Sequence, residues 1–249
     1  MSEANFILRR GEWRFFKNNL GDSLYDIQAL LALPHEKVNF YCSSSLESYE
    51  ADCPKLVDML RIFDCQNKVN LIDPGIKVPE DSKNTLYNIR IMSKERRRPD
   101  VKLKLEINEN ALTPDYDFLK NFNYNLDFSK TVAWNRRPMK KKDKNIKFRF
   151  LSELPPKVLD RWSGYNFINL GSQFGEGDVY DYLFDLDTSI WLLKECAAYV
   201  GSDSGTTHLA MAVKDPKDIY LYGENPEGEK TKTIWSMNSY ENTGINFLV

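Results

Sequence analysis

The stretch Val200-Gly201-Ser202-Asp203-Ser204-Gly205-Thr206-Thr207-His208 crowds small, hydroxyl-bearing and titratable residues between two apolar runs. Tyr199-Val200 has strand character, and Thr206 to Val213 has helical character. A strand that ends in such a turn and leaves as a helix presents unpaired backbone N–H groups and the positive end of the helix dipole. That equipment suits a phosphate. Gly201 and Gly205 let backbone approach an anion closely, Ser204, Thr206 and Thr207 add hydroxyls, and His208 falls in the first turn. Residue types alone leave a plainer reading open, in which Asp203 or Ser204 caps an ordinary helix and His208 is a packed side chain.

The elements around this loop alternate. Phe6–Arg9 reads as a strand, and Asp22–Leu33 follows with Leu24, Ile27, Leu30 and Leu31 at helical spacing. Lys37–Cys42 is the next strand, Pro54–Phe63 a helix with proline at its start, and Lys68–Ile72 a third strand. This alternation predicts a parallel α/β sheet. Residues 74–130 carry four prolines (Pro74, Pro79, Pro99, Pro114) and less pattern, with a strand expected at Tyr87–Met92 and a helix at Asp115–Phe122. A second half begins at Thr131–Trp134. It continues through β-like Ile146–Phe150, a helix at Pro155–Trp162 with Ser152 available as its cap, and a buried strand at Asn166–Leu170. Asp187 is expected to cap a helix over Thr188–Ala198, and Asp218–Tyr222 is the strand after the glycine-rich loop. The expected architecture is α/β, with domains at 1–128 and 129–249, each Rossmann-like and facing a common cleft.

Composition narrows the function. The 249 residues suffice for two compact domains, and 42% hydrophobic content can bury a core. No run of apolar residues is long enough for a membrane span. The start, MSEANFILRRGEWRFF, has its apolar patch before its basic residues and lacks a small-residue cleavage site, so a cytoplasmic location without stable membrane association is expected. Cys42, Cys53, Cys65 and Cys196 are too scattered for a zinc site or a disulfide framework and read as reduced thiols. Two histidines, His35 and His208, make no His-rich metal centre, and His35 after Pro34 is expected at the surface. A net charge of -2 argues against a general polyanion binder, although Lys94–Arg98 (KERRR) and Arg136–Lys144 (RRPMKKKDK) are basic runs that could gather phosphates. Gly171-Ser-Gln-Phe-Gly175-Glu-Gly177 lacks the spacing of a dinucleotide fingerprint but could line a nucleoside pocket.

The glycine-rich loop resembles the donor-site motif of the heptosyltransferases of glycosyltransferase family nine, G-N-D-S-G-P-x-H-L-A-x-A. Gly201, Asp203, Ser204, Gly205, His208, Leu209, Ala210 and Ala212 match, while Ser202 replaces the usual Asn and Thr206 the common Pro. Leu20-Gly21-Asp22, in the first βα loop, resembles the L-G-D loop of the same family. The resemblance implies a GT-B fold with a reduced N-terminal domain, and an inverting, metal-independent transfer from a nucleoside diphosphate sugar, with no other cofactor. It implies that Asp22 is the catalytic base, against the plainer reading in which Asp22 caps its helix. The donor would be held by Asp203, Ser204, Gly205, Thr206, Thr207 and His208. A cation after the first strand of the second domain would neutralise the leaving diphosphate, which points to Arg136, with Lys140 in the same region. Asp185-Leu186-Asp187 has the spelling of a metal-binding DxD but sits where a helix cap is expected, so no metal ligand is assigned.

The chain is shorter than typical bacterial members of that family, chiefly in the first domain, so the acceptor is not inherited from the resemblance. A soluble acceptor is expected: a hydroxyl-bearing nucleic-acid base, a protein side chain or a small glycan. A hydroxymethylated DNA base fits the basic runs. A non-catalytic protein that binds nucleotide or nucleic acid is the competing class.

Overall fold

Lys37–Cys42 sends Val38 and Phe40 to one side of the backbone and Asn39 and Tyr41 to the other, as the two-residue period of a strand requires. Glu3–Leu8 (β1) does the same with Ala4 and Phe6, and the Phe6 and Phe40 rings meet at 5.7 Å across the sheet. The computed structural model describes residues 3–8, 20–42, 54–63, 67–72, 75–80, 83–84, 105–117, 127–135, 153–174, 180–182, 184–202, 204–222 and 243–248. Within them the chain divides into two compact units, Met1–Leu112 and Thr113–Val249.

In the first unit, β1, β2 (Lys37–Cys42), β3 (Val69–Ile72) and β4 (Lys83–Asn84) form a parallel sheet in the order β3-β2-β1-β4. Helices α1 (Leu20–Leu31) and α2 (Pro54–Ile62) intervene. Leu24, Ile27 and Leu30 of α1 and Met59 and Ile62 of α2 are fully buried, and those of α1 are positions that helical spacing singled out. The opposite side of the sheet carries an amide ladder. Asn5, Asn39 and Asn70 are in register, the Asn39 amide donates to Asn5 Oδ1 (3.0 Å), and Asn70 donates to Asn39 Oδ1 (2.9 Å). Pairing its amide on both sides is what allows Asn39 to be buried.

In the second unit, β5 (Thr131–Trp134), β6 (Asn166–Asn169), β9 (Ala198–Gly201), β10 (Ile219–Tyr222) and β11 (Asn246–Leu248) run parallel in the order β11-β10-β9-β5-β6. A separate antiparallel hairpin pairs β7 (Ser172–Phe174) with β8 (Tyr180–Tyr182). Helices α3 (Pro156–Arg161), α4 (Leu186–Glu195) and α5 (Gly205–Val213) intervene. β9 is buried at all four positions, as a central parallel strand covered on both faces must be. Val132, Ala198 and Val200 cluster with Val158 and Trp162, while Tyr199 points to the other face and is fully buried. Cys196 is a buried free thiol. Burial pushes its pKa up to about 12 against the opposing pull of the Lys214 ammonium, so it is a packed thiol.

The mixed α/β fold with parallel sheets is the one the alternating pattern predicts. Most elements lie within a residue or two of expectation. The strands expected at Tyr87–Met92 and Ile146–Phe150 lie outside the described residues, as does Ser152; β4, β11 and the hairpin carried too little pattern to be expected. Tyr116 and Asp117 begin a helical turn, and the remainder of the helix expected to Phe122 also lies outside.

One expectation is corrected. The cap of α4 is Asp185, whose Oδ1 accepts from the Thr188 amide at 2.7 Å, and Asp187 stands inside the first turn. Asp187 is buried and faces elsewhere. Its Oδ1 accepts from the Thr113 amide at 2.9 Å, while the Thr188 hydroxyl oxygen accepts from the Asp115 amide at 2.8 Å. The start of the second unit is thereby clamped to α4. We expect Asp187→Ala to cost about 1–3 kcal/mol, because it orphans the Thr113 amide. Asp185→Ala should cost about 1 kcal/mol, as loss of a cap does. Urea denaturation measures both, and a loss below about 0.5 kcal/mol for Asp187→Ala would contradict the clamp.

Candidate functional site

Strand order locates the functional edge of each unit. In the second unit the strands of the sheet, numbered by their own sequence, run 2-1-3-4-5 from β6 to β11, so winding reverses between β5 and β9. Ligands of open α/β sheets sit outside the carboxyl ends of the strands at such a switch point. The described residues leaving β5 and β9 there are Asn135, and Ser202 with Ser204. In the first unit the order 3-2-1-4 places the switch between β1 and β4, and the next described element after β1 is α1, which begins Leu20-Gly21-Asp22.

α5 begins at Gly205 because Ser204 caps it. Ser204 has extended backbone and its Oγ accepts from the Thr207 amide at 3.3 Å. The His208 amide reaches the Ser204 carbonyl at 3.2 Å, the first regular bond of the helix. The Gly205 and Thr206 amides therefore precede any intrahelical acceptor and face outward along the helix axis. With the helix dipole behind them, they make the anion-attracting end.

The Ser204 and Thr207 hydroxyls are engaged inside the protein. Thr207 is fully buried, and its Oγ1 donates to the Ser202 carbonyl at 2.5 Å. Contacts from Tyr199 Oη at 3.1 Å and Ser204 Oγ at 3.2 Å also reach that oxygen. With Thr207's only proton on Ser202, both of these must be donated to Thr207. Ser204 Oγ in turn accepts from the Thr207 amide and from Asn135 Nδ2 at 2.9 Å. These residues thus shape the start of α5 and set the direction of the neighbouring amides. Thr206 is buried beside them, and His208, one turn in, is half-buried.

Gly201 is required for a reason that residue types did not suggest. A Cβ there would collide with the Tyr199 hydroxyl, lie 2.7 Å from Tyr199 Cζ, and sit 2.8 Å from Thr207 Oγ1. The glycine makes room for a buried tyrosine that holds the loop from below.

Asp203, Arg136 and Lys140 lie outside the described residues, as do Gly175–Gly177 of the second glycine-rich stretch. Arg136 nevertheless follows Asn135, which is 5% exposed and bonded through its backbone N–H to the Val200 carbonyl at 3.1 Å. Asn135 was missed in the sequence, where an amide beside a basic run gives no signal; its place directly after a buried strand was the available clue. Asp22 is the third residue of α1, whose helical backbone already begins at Leu20. His35, expected at the surface, is half-buried in the turn after α1, and its Nδ1 is buried without a hydrogen-bond partner among the described residues. Among the described residues no group of acidic, histidine or cysteine side chains could hold a metal, and no helix is long and apolar enough to cross a membrane.

A helix cap and dipole at the switch point, on a glycine-rich loop, are the features to which a family comparison speaks. Residues 184–242 match the model of Glycosyltransferase family 9 (heptosyltransferase). The match takes in α4, β9, the capped loop, α5 and β10, and supports the resemblance carried by Gly201, Asp203, Ser204, Gly205 and His208. No curated protein matches the chain. Within the matched segment, Gly201→Ala should destabilise the fold by about 1–3 kcal/mol through overpacking against Tyr199. That should lower the melting temperature by several degrees. An unchanged melting temperature would show that Tyr199 does not occupy the space beside Gly201.

Proposed function

We propose that the protein is an inverting, metal-independent glycosyltransferase that moves a sugar from a nucleoside diphosphate sugar to an acceptor hydroxyl. The observation that carries this reading is the start of α5: a serine-capped helix N-terminus at the switch point of a parallel sheet, inside a segment that matches a glycosyltransferase family model.

In this reading the Gly205 and Thr206 amides hold the diphosphate of the donor, with Asp203 and His208 ordering donor groups around it. Departure of the nucleoside diphosphate leaves negative charge on oxygen. Amides at the helix start and a cation meet that charge, and Arg136, which follows Asn135 in sequence, is the cation, with Lys140 nearby in sequence. In this reading the amides and the cation take the part that a metal would play. Asp22, in the first turn of α1, takes the proton of the attacking hydroxyl, which then displaces the diphosphate from the opposite face of the sugar in one step. The acceptor is soluble, and a hydroxymethylated DNA base, a protein side chain and a glycan share the required hydroxyl. The basic runs Lys94–Arg98 and Arg136–Lys144 favour the first of these.

The test is release of nucleoside diphosphate from nucleotide sugars by wild type and Asp22→Asn, each with EDTA present. Wild type should turn over in EDTA, while Asp22→Asn should keep donor affinity and lose about 10²–10⁴-fold in rate. An Asp22→Asn rate equal to wild type would leave Asp22 a helix residue, and turnover abolished by EDTA would overturn metal independence.

A further inference from the structure

Asn135 donates a side-chain hydrogen bond that joins the residue after β5 to the cap of α5. The residue is almost completely buried, and its backbone N–H is tied to Val200 of β9, so it has little freedom of its own. A serine side chain has three staggered rotamers within easy reach. Donors on two sides, Asn135 Nδ2 at 2.9 Å and the Thr207 amide at 3.3 Å, hold Ser204 in one of them. That rotamer also sends the Ser204 proton toward Thr207 Oγ1.

We propose that Asn135 is a positioning residue for the anion site: by locking the Ser204 rotamer across the switch point, it fixes the aim of the Gly205 and Thr206 amides. The inference rests on the reading in which the start of α5 holds a nucleoside diphosphate. The side-chain chemistry suits this role. A neutral amide supplies the donor that the Ser204 oxygen needs. A carboxylate of the same shape could not donate when ionised, and would set a negative charge beside a bound diphosphate. An alanine would leave Ser204 without its cross-strand donor, free to turn and let the first helical amides fray.

The experiment is calorimetric titration with ADP, GDP, UDP and CDP of wild type, Asn135→Ala, Ser204→Ala and the double variant, with melting temperatures recorded alongside. For whichever diphosphate binds wild type most tightly, Asn135→Ala should bind roughly five- to tenfold more weakly, the effect of one lost buried hydrogen bond. Ser204→Ala should also weaken binding, and adding Asn135→Ala to it should cost little more, because Asn135 acts through Ser204. A merely structural role would lower the melting temperature and leave the dissociation constant of the folded protein unmoved, which would overturn the proposal. So would losses that multiply in the double variant. Should Asn135→Ala fail to fold, Asn135→Asp decides, with binding at least as weak as expected for alanine; wild-type affinity in Asn135→Asp would refute the positioning role. If wild type binds none of the four diphosphates, the donor-site reading fails and this inference falls with it. If wild type binds and the variants bind equally, only this inference fails.

Discussion

The Ser204 hydroxyl accepts from two directions, the Thr207 amide within its own helix and the Asn135 amide on a different strand's loop, and its proton is turned toward Thr207. The surrounding arrangement follows from that junction. Thr207 Oγ1 donates its hydrogen bond to the Ser202 carbonyl and accepts one from the Tyr199 hydroxyl. Tyr199 fits only because Gly201 has no side chain. Buried polar groups of this kind are costly unless paired, so each member of the set supports its neighbours. Its product is a helix that starts at one defined residue, with its first amides directed outward from the sheet.

Sheet topology explains why this junction stands where it does. In a parallel sheet every carboxyl end lies on one edge, and loops that leave in opposite senses open a gap only where the winding reverses. The second unit reverses between β5 and β9, and the Asn135–Ser204 bond spans that reversal. The first unit reverses beside β1, from which the chain enters α1 and Asp22. Each unit thus carries its chemically capable segment on the edge that its own topology makes available. Asp187 and Thr188 play a different part, fixing residues 113–115 to α4.

Much of the fold was legible because parallel sheets and their helices are written in apolar periodicity. Leu24, Ile27 and Leu30 declare α1, and Tyr199-Val200, apolar and directly before a glycine-rich turn, reads as a brief strand. The loop was legible too, since Gly201 and Gly205 flank hydroxyl residues between a strand and a helix. What stayed hidden depends on distant partners. Asp185 and Asp187 are two residues apart and equally acceptable as caps; only the Thr113 amide, far away in sequence, decides that Asp187 faces elsewhere. The hydroxyls of Ser204 and Thr207 look available to a ligand until the bonds to Asn135, Tyr199 and Ser202 are seen. Gly201 suggests backbone approach to an anion, yet the space it leaves is filled by Tyr199. β11 has three residues and β4 two, too few for any period to register.

The central claim is that the capped start of α5 receives a nucleoside diphosphate without a metal. The most direct measurement is a thermal-shift series of the wild-type protein with nucleoside diphosphates and nucleotide sugars, with and without EDTA. A ligand at a hundred times its dissociation constant adds about 2.7 kcal/mol of stability. The account predicts a rise of several degrees for at least one nucleotide, unchanged by EDTA. No shift with any nucleotide, or a shift that EDTA removes, would contradict it.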